Sequence, residues 1–204
     1  MVLHQIQQQL ECLYQTETKE NVESFLTTSP KNKFKQEALF IKQTSGELAV
    51  GLFIAPTILN TLHDHNPFSS FGKHNLNAFL IATEGVSHFV YLMKNANENN
   101  PVTQLELELQ AEIDKYLLAC FLFTFHHQTI PSSLFSYLFE EMRWHPALTR
   151  EEKGRYQEAN RLATKFCAYL DYNYIRHACW LPLIETARHF YRLSHWNKIR
   201  FLTP

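Results

Sequence analysis

Glycine is scarce in this chain, five among 204 residues, and arginine is missing from the first 142 positions. So few glycines argue against an all-β architecture of tight turns, and against the Gly-rich loops that cradle phosphates. There is no Cys-x-x-Cys: Cys12, Cys120, Cys167 and Cys179 stand far apart. That spacing fits reduced, mostly buried thiols and not a disulfide frame or a zinc knuckle. The most apolar stretch, Tyr116 to Phe123, falls far short of the roughly 20 residues that span a bilayer. The opening residues Met1 to Gln7 lack the basic flank and apolar run of a signal peptide. The expectation is a cytoplasmic protein with no membrane partner. No Ser-His-Asp, Cys-His or phosphate-loop motif can be assigned, and no nucleic-acid-binding signature is present.

What the chain does hold is enough apolar residue, 45% with sixteen phenylalanines, to build a sizeable core at this length. Its charge is divided. Residues 1–142 carry eight Lys and fifteen Asp+Glu, a balance of −7. Residues 143–204 carry three Lys, eight Arg and five Asp+Glu, a balance of +6. Two accounts fit: a basic surface for an anionic partner, or two parts of opposite sign attracting each other within one fold.

Periodicity gives the elements. Leu3, Ile6, Leu10 and Leu13 recur at helical spacing through Val2 to Tyr14. Thr18 is placed to cap a short helix running through Leu26, followed by a polar loop at 29–33. Two apolar runs, 38–41 and 48–54, flank Thr44-Ser45-Gly46-Glu47 and predict a β-hairpin over 37–54. The second run is apolar on both faces, and an isolated hairpin is marginal in water, so it needs a cover or a partner chain. Helices follow at 57–63, 76–95, 103–127, 134–142, 149–176 and 181–195, with Thr149 and Glu152 spaced as a capping box. The fold class is mainly α, a helical bundle with a β-hairpin in the N-terminal third, α+β overall. It forms one domain over 1–204, with room for an N-terminal α/β subdomain 1–72 packed on a helical subdomain 73–204.

Carboxylates inside apolar helices are the candidate chemistry, because burying them is costly unless they are paired or metal-bound. Glu84 and His88 share one helix face four residues apart, in an apolar segment interrupted by Gly85. The glycine implies close backbone approach by a neighbour. Glu108 and Glu112 share a face of the 103–127 helix with Lys115 and His126. Glu84, His88, Glu108 and Glu112 therefore form a candidate metal site for zinc, iron or manganese, or else a buried polar cluster. Di-metal bundles use Glu-x-x-His, and this chain has one Glu-x-x-x-His instead. An i,i+3 salt bridge between Glu112 and Lys115 on a solvated face is the plainer account. His126 and His127 suit a helix C-terminus. Arg176, His177, Arg188 and Arg192, interleaved with Tyr and Trp, are a candidate anion-binding group, or else arginines stacked on aromatics within the fold.

The leading functional expectation is a non-enzymatic interaction or scaffold protein that recruits a partner or a second copy through hairpin 37–54. A metal-dependent enzyme using the carboxylate–histidine cluster comes second. Nucleic-acid binding through the Arg/aromatic-rich C-terminal third comes third and is not favoured.

Overall fold

A computed structural model of the chain describes residues 1–28, 36–44, 47–141 and 146–202. Among the described residues there are eight α-helices and a single two-stranded antiparallel sheet in the N-terminal third. The expected class, mainly α with a β-hairpin, is the one observed. The turn at Ser45-Gly46, the polar loop 29–33 and Met142 lie outside the described residues.

Helix α1 (Val2–Tyr14) buries Leu3, Ile6, Leu10 and Leu13, and ends at Gln15 in the left-handed conformation, φ 51°. The helix expected from Thr18 shrinks to one 3₁₀ turn, Val22–Phe25, whose cap is Asn21. Thr18 is buried instead, where its hydroxyl donates to Glu11 Oε1 at 2.6 Å and accepts from Gln7 Nε2 at 2.7 Å. Its short polar side chain ties the following loop onto α1 in place of opening a new helix.

Strands β1 (Glu37–Thr44) and β2 (Glu47–Ile54) pair with Glu37 opposite Ile54 and Phe40 opposite Gly51. Leu52 and Ile54 are buried against the helices on one face, and Phe53 is buried on the other. Part of the outer edge of β2 is taken by Thr27, whose N–H donates to Leu52 O at 2.9 Å. The chain itself therefore covers both faces of β2 at these positions, one of the alternatives expected for it. The exposed apolar residues lie on β1: Phe40 at 41% and Ile41 at 46%.

Helix α2 (Pro56–Asp64) leads through an irregular stretch to α3 (Leu76–Asn97) and α4 (Gln104–His127), which pack together as the middle of the core. Gly85 of α3 shows why glycine stands there. A Cβ would meet Ile54 Cδ1 at 2.8 Å and Leu52 Cδ1 at 3.0 Å. The approach expected at Gly85 is made by the side chains of β2. Helix α3 is long and apolar enough to cross a membrane, and 72% of its most apolar window is buried inside the fold, as in a core helix. In α4, the alternating Leu105 to Leu109 segment is helical from its first turn. Thr103 and Glu106 cap it reciprocally: Thr103 N–H donates to Glu106 Oε2 at 3.0 Å, and Glu106 N–H to Thr103 Oγ1 at 3.2 Å.

Helix α5 (Leu134–Phe139) precedes α6 (Arg150–Asn173), which carries the expected capping box of Thr149 and Glu152. The helix expected at 181–195 is α7 (Trp180–Arg192), and Leu193, extended at φ −66°, ψ 143°, separates it from a further helix that was not expected, α8 (His195–Leu202). That break lets α8 turn back and carry Lys198 into the core.

Candidate functional site

Glu84 and His88 point from α3 toward different partners. Lys115 of α4 donates to Glu84 Oε2 at 2.9 Å and to Glu112 Oε1 at 2.8 Å. His88 lies between two other carboxylates: its Nδ1 is 3.7 Å from Glu37 Oε2 of β1, and its Nε2 is 3.4 Å from Glu108 Oε2 of α4. Glu108 Oε1 is in turn 3.7 Å from Arg155 Nε of α6. An ion-pair chain thus runs from the hairpin through α3 and α4 to α6. His88 and Glu108 lie in it, while Glu84 and Glu112 meet at Lys115, so the four expected residues do not converge as ligands of one ion. Among the described residues, Lys115, Arg155 and His88 answer these carboxylates. Among the described residues no group of three or more His, Cys, Asp or Glu is placed to hold a metal. The Glu112–Lys115 pair is present, but both residues are 8% exposed, so its face is buried and not solvated.

Glu37 and Arg155 were missed by the sequence reading. The available signal was a lone carboxylate opening an apolar strand and an arginine inside an amphipathic helix, neither specific alone.

The electrostatics follow from burial in close company. Desolvation pushes the His88 imidazole down, but the carboxylates of Glu108 and Glu37 on either side outweigh it and hold its pKa well above 6.5. Burial raises Glu37 above the usual carboxylate range despite His88, and raises Glu112 despite Lys115. Lys115 is the reverse case, desolvated yet held charged by Glu112 and Glu84. Glu37 and Glu108 face His88 and Arg155, and Glu84 and Glu112 face Lys115. Glu37 Oε2, His88 Nε2, Arg155 Nε and Glu112 Oε2 are buried without a hydrogen-bond partner. Between β1, α4 and α6 lies a cleft of about 140 Å³ whose walls include Glu37, Leu39, Ile41, His88, Glu108 and Arg155.

A second polar network joins α1, α3, α4 and α8. Asp114 accepts from Tyr14 Oη and Ser87 Oγ, each at 2.5 Å, and from Gln110 Nε2 at 2.8 Å. Lys198, 0% exposed, donates to Tyr91 Oη at 2.9 Å and Gln110 Oε1 at 3.3 Å. Burial raises Asp114 to about 6 against the pull of its three donors. Burial also lowers Lys198 to about 7, with Glu106 and Asp114 opposing. The network fastens α8 to α3 and α4, and no cleft opens onto it among the described pockets.

The candidate anion-binding arginines are not assembled into one site. Arg176 Nε donates to Asp171 Oδ2 at 2.6 Å. Arg188 donates to Leu13 O at 2.6 Å and Cys12 O at 3.1 Å, and Arg192 to Tyr14 O at 3.4 Å. The last two satisfy carbonyls at the C-terminus of α1, where a cation also suits the helix dipole. His177 is exposed in the 3₁₀ turn after α6. His126 and His127 do not cap their own helix: their Nε2 atoms reach Pro67 O at 3.1 Å and Phe71 O at 2.6 Å.

Compared with known proteins, the chain matches no family model, no curated sequence and no solved structure.

Proposed function

We propose that the protein is a non-enzymatic binding module that pairs an extended segment of a protein partner with the outer edge of β1. The observation that carries this is the half-exposed Phe40 and Ile41 on β1, with no strand beside its outer edge among the described residues. Such an edge is a template for strand addition. The hairpin is also a firm platform, because Gly85 seats β2 on α3 and Glu37 joins the chain through His88 and Glu108 to Arg155. Pre-organisation of this kind lowers the ordering cost of binding. Cys120 and Cys167 are buried free thiols and Cys12 and Cys179 are exposed ones, which suits a reducing compartment such as the cytoplasm.

The test is a photo-crosslinking residue placed at position 40 or 41 in cells, with the exposed position 172 at the end of α6 as control. Adducts from 40 and 41 but not from 172 are expected. Ile41→Lys is expected to abolish partner capture while leaving the melting temperature unchanged. Adducts that ignore Ile41→Lys refute the reading. Purification with near-stoichiometric zinc, iron or manganese would favour the metal-enzyme alternative.

A further inference from the structure

We propose that the cavity between α4 and α6 binds a neutral mono- or disaccharide. It encloses about 910 Å³, inside the range of roughly 300–1,000 Å³ common for small-molecule sites. Tyr116 of α4 and Asp171 of α6 line it, together with the residues that link α4 to α5 and the turn after α6. Among the described residues none of the hairpin lines it, so sugar binding there stands apart from strand pairing at β1.

Charge is the first ground. Tyr116 Oη donates to Asp171 Oδ1 at 3.1 Å and Arg176 Nε to Asp171 Oδ2 at 2.6 Å, so the lining holds its own ion pair. Among the described residues the other charged group of the lining is the exposed Glu140. A cation meets Arg176 there and an anion meets two carboxylates, whereas an uncharged guest disturbs neither. Unspent bonding is the second ground. The Asp171 carboxylate has acceptor sites beyond these two bonds, and Arg176 keeps the N–H groups of both Nη atoms. The hydroxyls of Thr124, Ser132 and Ser136 and the amide of Gln128 belong to lining residues and make no hydrogen bond among the described residues. Donors and acceptors therefore lie side by side, as adjacent sugar hydroxyls require, since each both donates and accepts. The third ground is aromatic. Phe135 and Trp180 line the cavity half-buried, and each is held by another ring: Phe135 stands edge-on to Tyr116 at 5.7 Å, and Trp180 meets Phe121 at 5.9 Å. Rings fixed in advance lower the ordering cost of binding, and their faces accept the apolar C–H face of a sugar ring. Ala178, left-handed at φ 52°, turns the chain between Arg176 and Trp180 so that both reach the lining. Strained backbone of this kind gathers at binding sites.

The test is saturation-transfer difference NMR on the wild-type full chain with glucose, galactose, mannose, N-acetylglucosamine, maltose and lactose. Glucuronate and glucosamine serve as anionic and cationic matches, and adenosine as a neutral planar one. At least one neutral sugar is expected to give a saturable signal, and neither charged match. Ala168→Trp sets a bulky side chain into the lining from an exposed position of α6, and is expected to abolish that signal. Trp180→Ala is expected to weaken binding about tenfold, the size of one lost aromatic contact. Trp196→Ala, exposed on α8 and outside the lining, is expected to leave binding unchanged. Absence of a saturable signal from every neutral sugar overturns the proposal. So does a signal that survives both Ala168→Trp and Trp180→Ala, or one that the charged matches give equally. Adenosine binding without any sugar overturns the saccharide assignment. Each of these outcomes leaves strand pairing at β1 standing, because cross-linking at position 41 reads it separately.

Discussion

Replacing Lys198 with methionine is expected to stabilise the protein at neutral pH and to lose that advantage as pH rises. Lys198 is 0% exposed and its ammonium titrates near 7 where the ordinary value is 10.5. The unfolded chain therefore binds more protons than the folded one between those values, so the lysine's contribution to stability rises with pH. With a tenfold change in protonation per pH unit, the penalty of keeping Lys198 in the fold is about 4 kcal/mol at pH 7 and falls to about 1 kcal/mol at pH 9.5. Methionine removes the penalty and fills similar space, but it leaves Gln110 Oε1 and Tyr91 Oη without their donor, a loss of about 1–3 kcal/mol. The balance is a gain of about 1–3 kcal/mol at pH 7, shrinking to near zero or a small loss by pH 9.5. Urea unfolding of both proteins across that range measures the difference, which cancels the titration of His88 and of the buried cysteines common to both. A variant less stable than wild type at pH 7, or a gap that does not change with pH, refutes the argument.

Two further substitutions test the seating of the hairpin and the ion-pair chain. Gly85→Ala gains about 1 kcal/mol of helix propensity, but its Cβ must displace Ile54 Cδ1 from 2.8 Å and Leu52 Cδ1 from 3.0 Å, an overpacking worth about 1–3 kcal/mol. A net loss of about 1 kcal/mol in denaturant unfolding is expected from the difference of those two effects, and a clear gain would show that β2 does not press on α3. Double-mutant cycles should give coupling of about 0.5–3 kcal/mol for Glu84→Gln with Lys115→Met and for His88→Ala with Glu108→Gln. A larger coupling between Glu84 and His88 than within either of those pairs would contradict the observed partners.

Local pattern made much of the fold readable from the residues. The stripe from Leu3 to Leu13 is α1, the two runs around residues 45 and 46 are the hairpin, and Thr149 with Glu152 is the capping box of α6. Gly85 could be read as a close-approach point, though not what approached it. These features depend on neighbours within about four residues, where periodicity, capping and turn chemistry act directly. The membership of Glu84, His88, Glu108 and Glu112 in one polar region was readable for the same reason: helical spacing put each pair on one face.

Which partner each charge took was decided only by tertiary structure. Spacing let Glu84 and His88 pair or share a metal, but packing set Lys115 beside one and Glu37 and Glu108 beside the other. Arg188 and Arg192 resembled an anion-binding group until the fold brought the open carbonyls of α1 against them. The break at Leu193 lets α8 fold back and sets Lys198 in the core network with Tyr91 and Gln110. A helix face follows from spacing along the chain. The partner of a buried charge follows from which remote element packs there, because the low-dielectric interior penalises every charge left unanswered and so assigns each to the nearest opposite group the packing supplies.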